Sequence, residues 1–108
     1  MKVKDNSIVA VDLDNTLCEG DSFTDIECIM AKPIQEVIDK VNNLNRKKNC
    51  FIVIHTARKE FLREATVYWL KKHEIRYNCL EMNKLWANYY IDDRAINTKD
   101  FIKGGWND

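Results

Sequence analysis

The chain has 108 residues, room for one domain and no second, and a chain of that length buries roughly 65% of its unfolded surface. Apolar residues at 45% and charged residues at 31% exclude a disordered chain or one that spans a membrane. Seventeen basic and seventeen acidic residues cancel, so net charge gives no argument for nucleic acid or anionic lipid as a partner.

The N-terminal Met-Lys-Val-Lys-Asp-Asn leads into an apolar run too short for a signal peptide. Four cysteines, Cys18, Cys28, Cys50 and Cys79, lack Cys-x-x-Cys spacing and read as buried thiols, so a cytoplasmic protein is expected. Ile8-Val9-Ala10-Val11 predicts a buried strand that delivers Asp12 and Asp14 to its end. Alternate residues of an extended chain share a face, so the two carboxylates start on the same side. Two anions that close repel, and a metal or a transferred proton relieves the repulsion. Asn15 tolerates the left-handed backbone that a sharp exit from a strand needs.

From Cys18 to Lys32 there is no helical period, and Glu19-Gly20-Asp21-Ser22 is a turn signal, so residues 18–32 read as a flap or hairpin. It carries Glu19, Asp21, Asp25 and Glu27, which form either a solvated acidic loop or a lid over the carboxylate pair. Ile34, Val37, Ile38, Val41 and Leu44 recur at offsets of three and four after Pro33, predicting a helix over residues 33–46 with basic residues at its end. Cys50 to Ile54 is a continuous apolar run, expected as a strand covered on both faces and stopping at His55-Thr56-Ala57-Arg58. Phe61, Leu62, Ala65, Trp69 and Leu70 mark a second helix over 59–73. Ile75 to Met82 reads as a third strand. Tyr89-Tyr90-Ile91 reads as another, running into Asp92-Asp93-Arg94. Asn97 to Phe101 looks like a capped helical turn, released by Gly104-Gly105 before Trp106.

Strands alternating with helices predict an α/β fold: a parallel, doubly wound sheet flanked by helices, with ligands outside the carboxyl ends of its strands. Asp12 and Asp14, Thr56, and Asp92 and Asp93 all fall at that edge, with Lys84 in the loop before the last strand. Four carboxylates on one rim need a cation, and all-oxygen ligation matches magnesium rather than zinc. Magnesium and Lys84 would together neutralise a phosphate dianion, to which the Thr56 hydroxyl could donate. Phosphoryl transfer follows: one Asp attacks phosphorus, and its neighbour protonates the leaving oxygen and later activates water.

With these residues in order, the chain resembles the haloacid dehalogenase superfamily of phosphatases over nearly its whole length. The family's Asp-x-Asp-x-Thr motif stands as Asp12-Leu13-Asp14-Asn15-Thr16, its Thr or Ser at a strand end as Thr56, its Lys as Lys84 and its acidic pair as Asp92-Asp93. The resemblance implies a Rossmann-like three-layer sandwich with a central parallel sheet, one domain over 1–108 and no cap insertion. It makes Asp12 the nucleophile and Asp14 the general acid and base, with Thr56 and Lys84 also catalytic. It places magnesium between Asp12, the Asp14 carbonyl, Asp92 and Asp93. Asn15 stands where Gly is commonest, and Leu85 where close relatives often have Pro. Members without a cap tend to act on large substrates or to be covered by a partner subunit. Ala31-Lys32-Pro33-Ile34, Thr56-Ala57-Arg58 and Tyr90-Ile91-Asp92-Asp93 are similar to small bacterial proteins associated with surface-polysaccharide synthesis.

The expected substrate is a small phosphorylated metabolite such as a sugar or polyol phosphate. A nucleotidase or polynucleotide end phosphatase is the alternative enzyme, which the neutral charge and acidic flap disfavour. Thr16, Asn15, Arg58 and Arg94 are candidate substrate contacts; the two arginines either hold a second anionic group or form surface ion pairs. His55 is turned from the site by strand alternation, and Trp69 reads as core. Trp86 and Trp106 read as packing, with a sugar or base pocket or a subunit contact as the alternative. Two rivals are a receiver-like signalling module, disfavoured by the order of its motifs, and an idle phosphate-binding module, disfavoured because no motif residue is missing.

Overall fold

The computed structural model describes residues 3–104, so Gly105 and Trp106 lie outside the described residues. Three parallel strands, β1 (Ile8–Val11), β2 (Phe51–His55) and β3 (Cys79–Glu81), form a sheet in the order β1-β2-β3. Ile8 pairs with Phe51 and Val11 with Ile54, while Val53 pairs with Cys79 and His55 with Glu81. Helices join the strands, as parallel pairing requires: α1 (Asp25–Met30) and α2 (Gln35–Lys48) before β2, and α3 (Arg63–Lys72) after it. A last helix, α4 (Thr98–Lys103), packs on α2. This is the α/β, Rossmann-like class that the alternation predicts.

Each helix stands on local chemistry. In α2 the stripe Val37, Ile38, Val41 and Leu44 is buried, and each such side chain contributes about 1.5–3 kcal/mol relative to an exposed one. Pro33 lies just outside that helix, where Cys18 pairs with it in an isolated bridge. The helix ends at Asn49, left-handed at φ 53°, whose N–H donates to the Leu44 carbonyl. In α3, Ala65, Trp69 and Leu70 enter the core as expected, while Leu62 joins them from a preceding single turn and Phe61 faces solvent. Trp69 is fully buried and its indole N–H donates to the Ala31 carbonyl at 2.8 Å, so the one polar atom of that ring is satisfied.

Three expectations change. The segment 18–32 closes at its base as a hairpin would, with Glu19 N–H donating to the Lys32 carbonyl and Ile34 N–H to that of Leu17. Between those ends, however, it contains the helix α1, begun by Thr24 and Glu27: the Glu27 N–H donates to Thr24 Oγ1, and Glu27 Oε1 accepts the Phe23 N–H. Tyr89-Tyr90-Ile91 is not a strand; it runs irregular and exposed, so Asp92 and Asp93 end no strand. β1, expected buried, is therefore an edge strand whose Ile8 is 77% exposed.

The expected cover on both faces of β2 is also incomplete. Ile52 and Ile54 are buried with Val11 and Leu80 against the helices, whereas Phe51, on the other face, is 48% exposed. None of the helices among the described residues is long and apolar enough to cross a membrane.

Candidate active site

The loop after β1 alternates between core and cleft. Leu13 and Leu17 are fully buried pegs, and the Leu13 carbonyl accepts the N–H groups of Thr16, Leu17 and Cys18, which winds the chain tightly over them. Asp12, Asp14, Asn15 and Thr16 are left lining a cleft of about 220 Å³. Asn15 takes the left-handed conformation expected of it, at φ 64°. Its side chain then holds the flap: Oδ1 accepts the Gly20 N–H and Nδ2 donates to Asp21 Oδ1, both at 3.0 Å. That latch brings Asp21 into the cleft lining. Within the sequence Asp21 is one of several flap acids; its spacing from Asn15 carries no signal of the pairing.

The second wall comes from the ends of β2 and β3. Thr56 N–H donates to the Glu81 carbonyl, Lys84 N–H to the Thr56 carbonyl and Asn83 N–H to the Arg58 carbonyl. Thr56 Oγ1 accepts the Arg58 N–H at 3.2 Å, so its hydroxyl hydrogen remains for a ligand. Lys84 lines the cleft with Trp86, Ala87 and Tyr90, and its Nζ lies 4.5 Å from the centre of the Tyr90 ring. Asp12, Asp14, Thr56 and Lys84 are thus brought together from three separate segments.

Electrostatics differentiate the two aspartates. Around Asp12 desolvation by burial raises the carboxyl above its usual range, opposed by the Leu13 N–H, which donates to Oδ1 at 2.8 Å, and by the charge of Lys84. The Asp14 charge pushes it further up and His55, on β2, pulls it down, so His55 acts on the site through its field. Asp14 instead meets Arg58. Arg58 Nε lies 3.2 and 3.1 Å from the two Asp14 oxygens, and its Nη2 is 2.7 Å from Oδ1. Burial acts to lower the Arg58 guanidinium, and the Asp14 carboxylate outweighs it and holds it raised. Beneath them Cys18 Sγ contacts both Arg58 Nη2 and Asp14 Oδ1; burial first, then the Asp14 charge, pushes that thiol up to about 12.

Other expected residues stand elsewhere. Arg58 is 4% exposed and is not part of the cleft lining, so it meets Asp14 rather than solvent or ligand. Asp92, Asp93 and Arg94 form an exposed turn outside the lining: Asp92 Oδ1 accepts the Arg94 N–H, and Arg94 Nε lies 3.9 Å from Asp93. Among the described residues no three His, Cys, Asp or Glu side chains are grouped to hold a metal ion. The acids at the cleft are oxygen donors of the kind magnesium takes; Arg58 holds the two carboxylate oxygens of Asp14 and not the main-chain carbonyl that the resemblance assigns to the ion, while Asp92 and Asp93 lie outside the cleft lining.

No family model and no curated protein matches the chain. Among solved structures, it is similar to a crystal structure of a target protein from Vibrio cholerae, with a TM-score of 0.76 and 27% identity over 96% of this chain and 89% of that one. It is also similar to a chain of a Pnkp1/Rnl/Hen1 complex, with a TM-score of 0.64 and 23% identity over 94% of this chain and 36% of the other. A Pnkp1/Rnl/Hen1 RNA repair complex gives a TM-score of 0.62 and 18% identity over 95% and 33% of the two chains. These two likenesses show a shared fold, which this chain matches over about a third of the longer partners.

Proposed function

We propose that this protein is a phosphomonoesterase of the haloacid dehalogenase type, working through an aspartyl-phosphate. The observation that carries the reading is the meeting of Asp12, Asp14, Thr56 and Lys84 at one cleft. An Asp12 oxygen attacks phosphorus and the bond to the ester oxygen breaks; for Asp14 to give the departing oxygen its proton, its carboxyl must be protonated and one of its oxygens released from Arg58. Water then attacks the aspartyl-phosphate, Asp14 takes its proton, and phosphate leaves with Asp12 regenerated. The Thr56 hydroxyl and the Lys84 ammonium hold the phosphate oxygens.

Magnesium dependence is part of the proposal and requires Asp92 and Asp93 to approach Asp12, since the acids at the cleft do not suffice. The ion would offset the charge of the phosphate against the carboxylates. Cleft volume supports a small reacting group: about 220 Å³ lies below the roughly 300–1,000 Å³ of pockets that enclose a whole small molecule. A phosphate fits, and the rest of its ester extends past Trp86 and Tyr90. A sugar or polyol phosphate is the favoured substrate. A nucleotide or polynucleotide end is the second reading, favoured by the fold shared with chains of an RNA repair complex.

The test is phosphate release from sugar, polyol, nucleotide and 3′-phosphorylated oligonucleotide esters, with and without magnesium, wild type beside Asp12→Asn. Magnesium-dependent release, lost in the variant, is expected. Release that survives Asp12→Asn removes the nucleophile assignment. Labelling by a phosphodonor without turnover would leave a receiver-like module, and neither labelling nor release an idle one.

A further inference from the structure

We infer that Trp86 and Asp21 select the alcohol part of the ester, admitting a neutral, hydroxylated ring that carries one phosphate: a cyclic sugar monophosphate rather than its open-chain polyol or a bisphosphate. The inference rests on the phosphatase reading and narrows its substrate. Trp69 is fully buried, whereas Trp86 is 70% exposed and lines the cleft with Lys84, so the packing expected of Trp86 is not found. Its backbone is nevertheless held. The Tyr90 hydroxyl donates to the Leu85 carbonyl and accepts the Ala87 N–H at 3.2 Å, so the residues on either side of Trp86 are tied to one group. The loop also starts from a fixed point, the Lys84 N–H donating to the Thr56 carbonyl at 2.9 Å. A tethered main chain thus presents a bare indole at the cleft, a large apolar face for a ligand to cover.

The lining also sets the charge of what can enter. It holds three carboxylates, Asp12, Asp14 and Asp21, and one cation, Lys84. Asp14 is paired with Arg58, whereas Asp21 has no ion pair among the described residues. A phosphate takes Lys84 and the Thr56 hydroxyl, so a second anionic group would meet Asp21 with nothing to neutralise it. Asp21 accepts from Asn15 through Oδ1 at 3.0 Å, and its other oxygen has no partner among the described residues. A carboxylate only accepts hydrogen bonds, so the ligand must bring donors there, as sugar hydroxyls do.

Trp86 stands two residues from Lys84 in a cleft of about 220 Å³, so the ring that reaches the indole is the one next to the phosphate. A pyranose offers a flat face of C–H groups at that place. A nucleobase is set a whole ribose further out. An open-chain polyol has the hydroxyls but no face, and it loses chain freedom on binding.

Matched esters test this. Glucose 6-phosphate and sorbitol 6-phosphate share charge and carbon number and differ in the ring. Wild type should favour the former about 3–10-fold in kcat/KM, the scale of one aromatic contact, and chiefly through KM. Trp86→Ala should bring the ratio near one, and Trp86→Phe, which restores a ring, should recover much of it. Glucose 1,6-bisphosphate should be poorer than glucose 6-phosphate. Asp21→Asn, which keeps an acceptor for Asn15 and removes the charge, should narrow that gap several-fold.

A sugar-to-polyol ratio that does not move in Trp86→Ala overturns the inference, as does a bisphosphate gap unchanged in Asp21→Asn. If adenosine 5′-monophosphate is preferred over ribose 5-phosphate and Trp86→Ala removes the preference, the indole serves a nucleobase and the sugar assignment falls. Wild-type protein that releases phosphate from no ester sinks the phosphatase reading instead, and the indole is then read by NMR. The Trp86 indole N–H resonance, identified by its loss in Trp86→Phe, should move on titration with glucose 6-phosphate and less with sorbitol 6-phosphate. Equal shifts, or none, overturn the inference on their own.

Discussion

Removing the Asp14 carboxylate should destabilise the whole domain, because it strands a buried cation. The Arg58 side chain is 1% exposed and that of Asp14 17%, so water can replace little of what Arg58 loses. Breaking such a pair from one side costs about 3–5 kcal/mol, far more than the 0–1 kcal/mol of a surface ion pair. Asp14→Ala should therefore lower stability by about that amount, a large share of the ~5–15 kcal/mol that holds a domain together. At roughly 4 °C per kcal/mol for a chain of this size, Tm should fall about 12–20 °C. Urea titration followed by tryptophan fluorescence measures the loss, and Arg58→Met in the Asp14→Ala background should recover much of it by removing the stranded charge. A cost under about 1 kcal/mol for Asp14→Ala, or strict additivity in the double variant, would refute a buried pair.

The cysteines should react in an order set by burial and charge. With its thiol pushed up to about 12, Cys18 holds about one part in ten thousand thiolate at pH 8, so Ellman's reagent should modify half-buried Cys79 first and reach Cys18 only on unfolding. Raising pH toward 12 should increase Cys18 labelling wherever the fold survives; fast labelling at pH 8 would contradict its contacts with Asp14. Asn15→Ala should cost about 1–2 kcal/mol for a left-handed alanine and should also release Gly20 and Asp21. Faster amide exchange at residues 19–22, with α2 unchanged, is the expected signature, and unchanged flap exchange would show that the latch holds nothing.

Local periodicity carried most of the architecture. The apolar stripe of α2, the run of β2 and the cap at Asn97 are each decided by neighbours within a few residues, and each forms close to where the pattern puts it. The same locality made Asp12, Asp14 and Thr56 legible as groups at strand ends. The Thr24 and Glu27 capping box was also present in the letters, though the absence of an apolar period hid so short a helix. Tyr89-Tyr90-Ile91 failed for the opposite reason: residues of high strand propensity make a strand only where a partner edge accepts them. The Arg58 pair could not be read at all, since no spacing rule links residues 44 positions apart. Of the two readings open for Arg58, a substrate contact or an ion pair, the structure shows it buried and paired with Asp14.

Lys84 shows how the cleft balances a free and a bound state. Its main chain is fixed by the hydrogen bond to Thr56, but its ammonium rests on the Tyr90 ring, a contact worth about 0.5–1 kcal/mol at an exposed site. A hydrogen bond to a charged group is worth about 1.5–3 kcal/mol, so a phosphate in the cleft should win the ammonium from the ring. On the proposed reading, Tyr90 would hold the cation in place between ligands and oppose binding by the smaller energy. Tyr90→Leu should remove that opposition and tighten inorganic phosphate about two- to five-fold, the factor that 0.5–1 kcal/mol implies, as measured by calorimetric titration. Weaker binding in the variant would mean that the ring itself supports the ligand, and Lys84 would then have no competing rest position to leave.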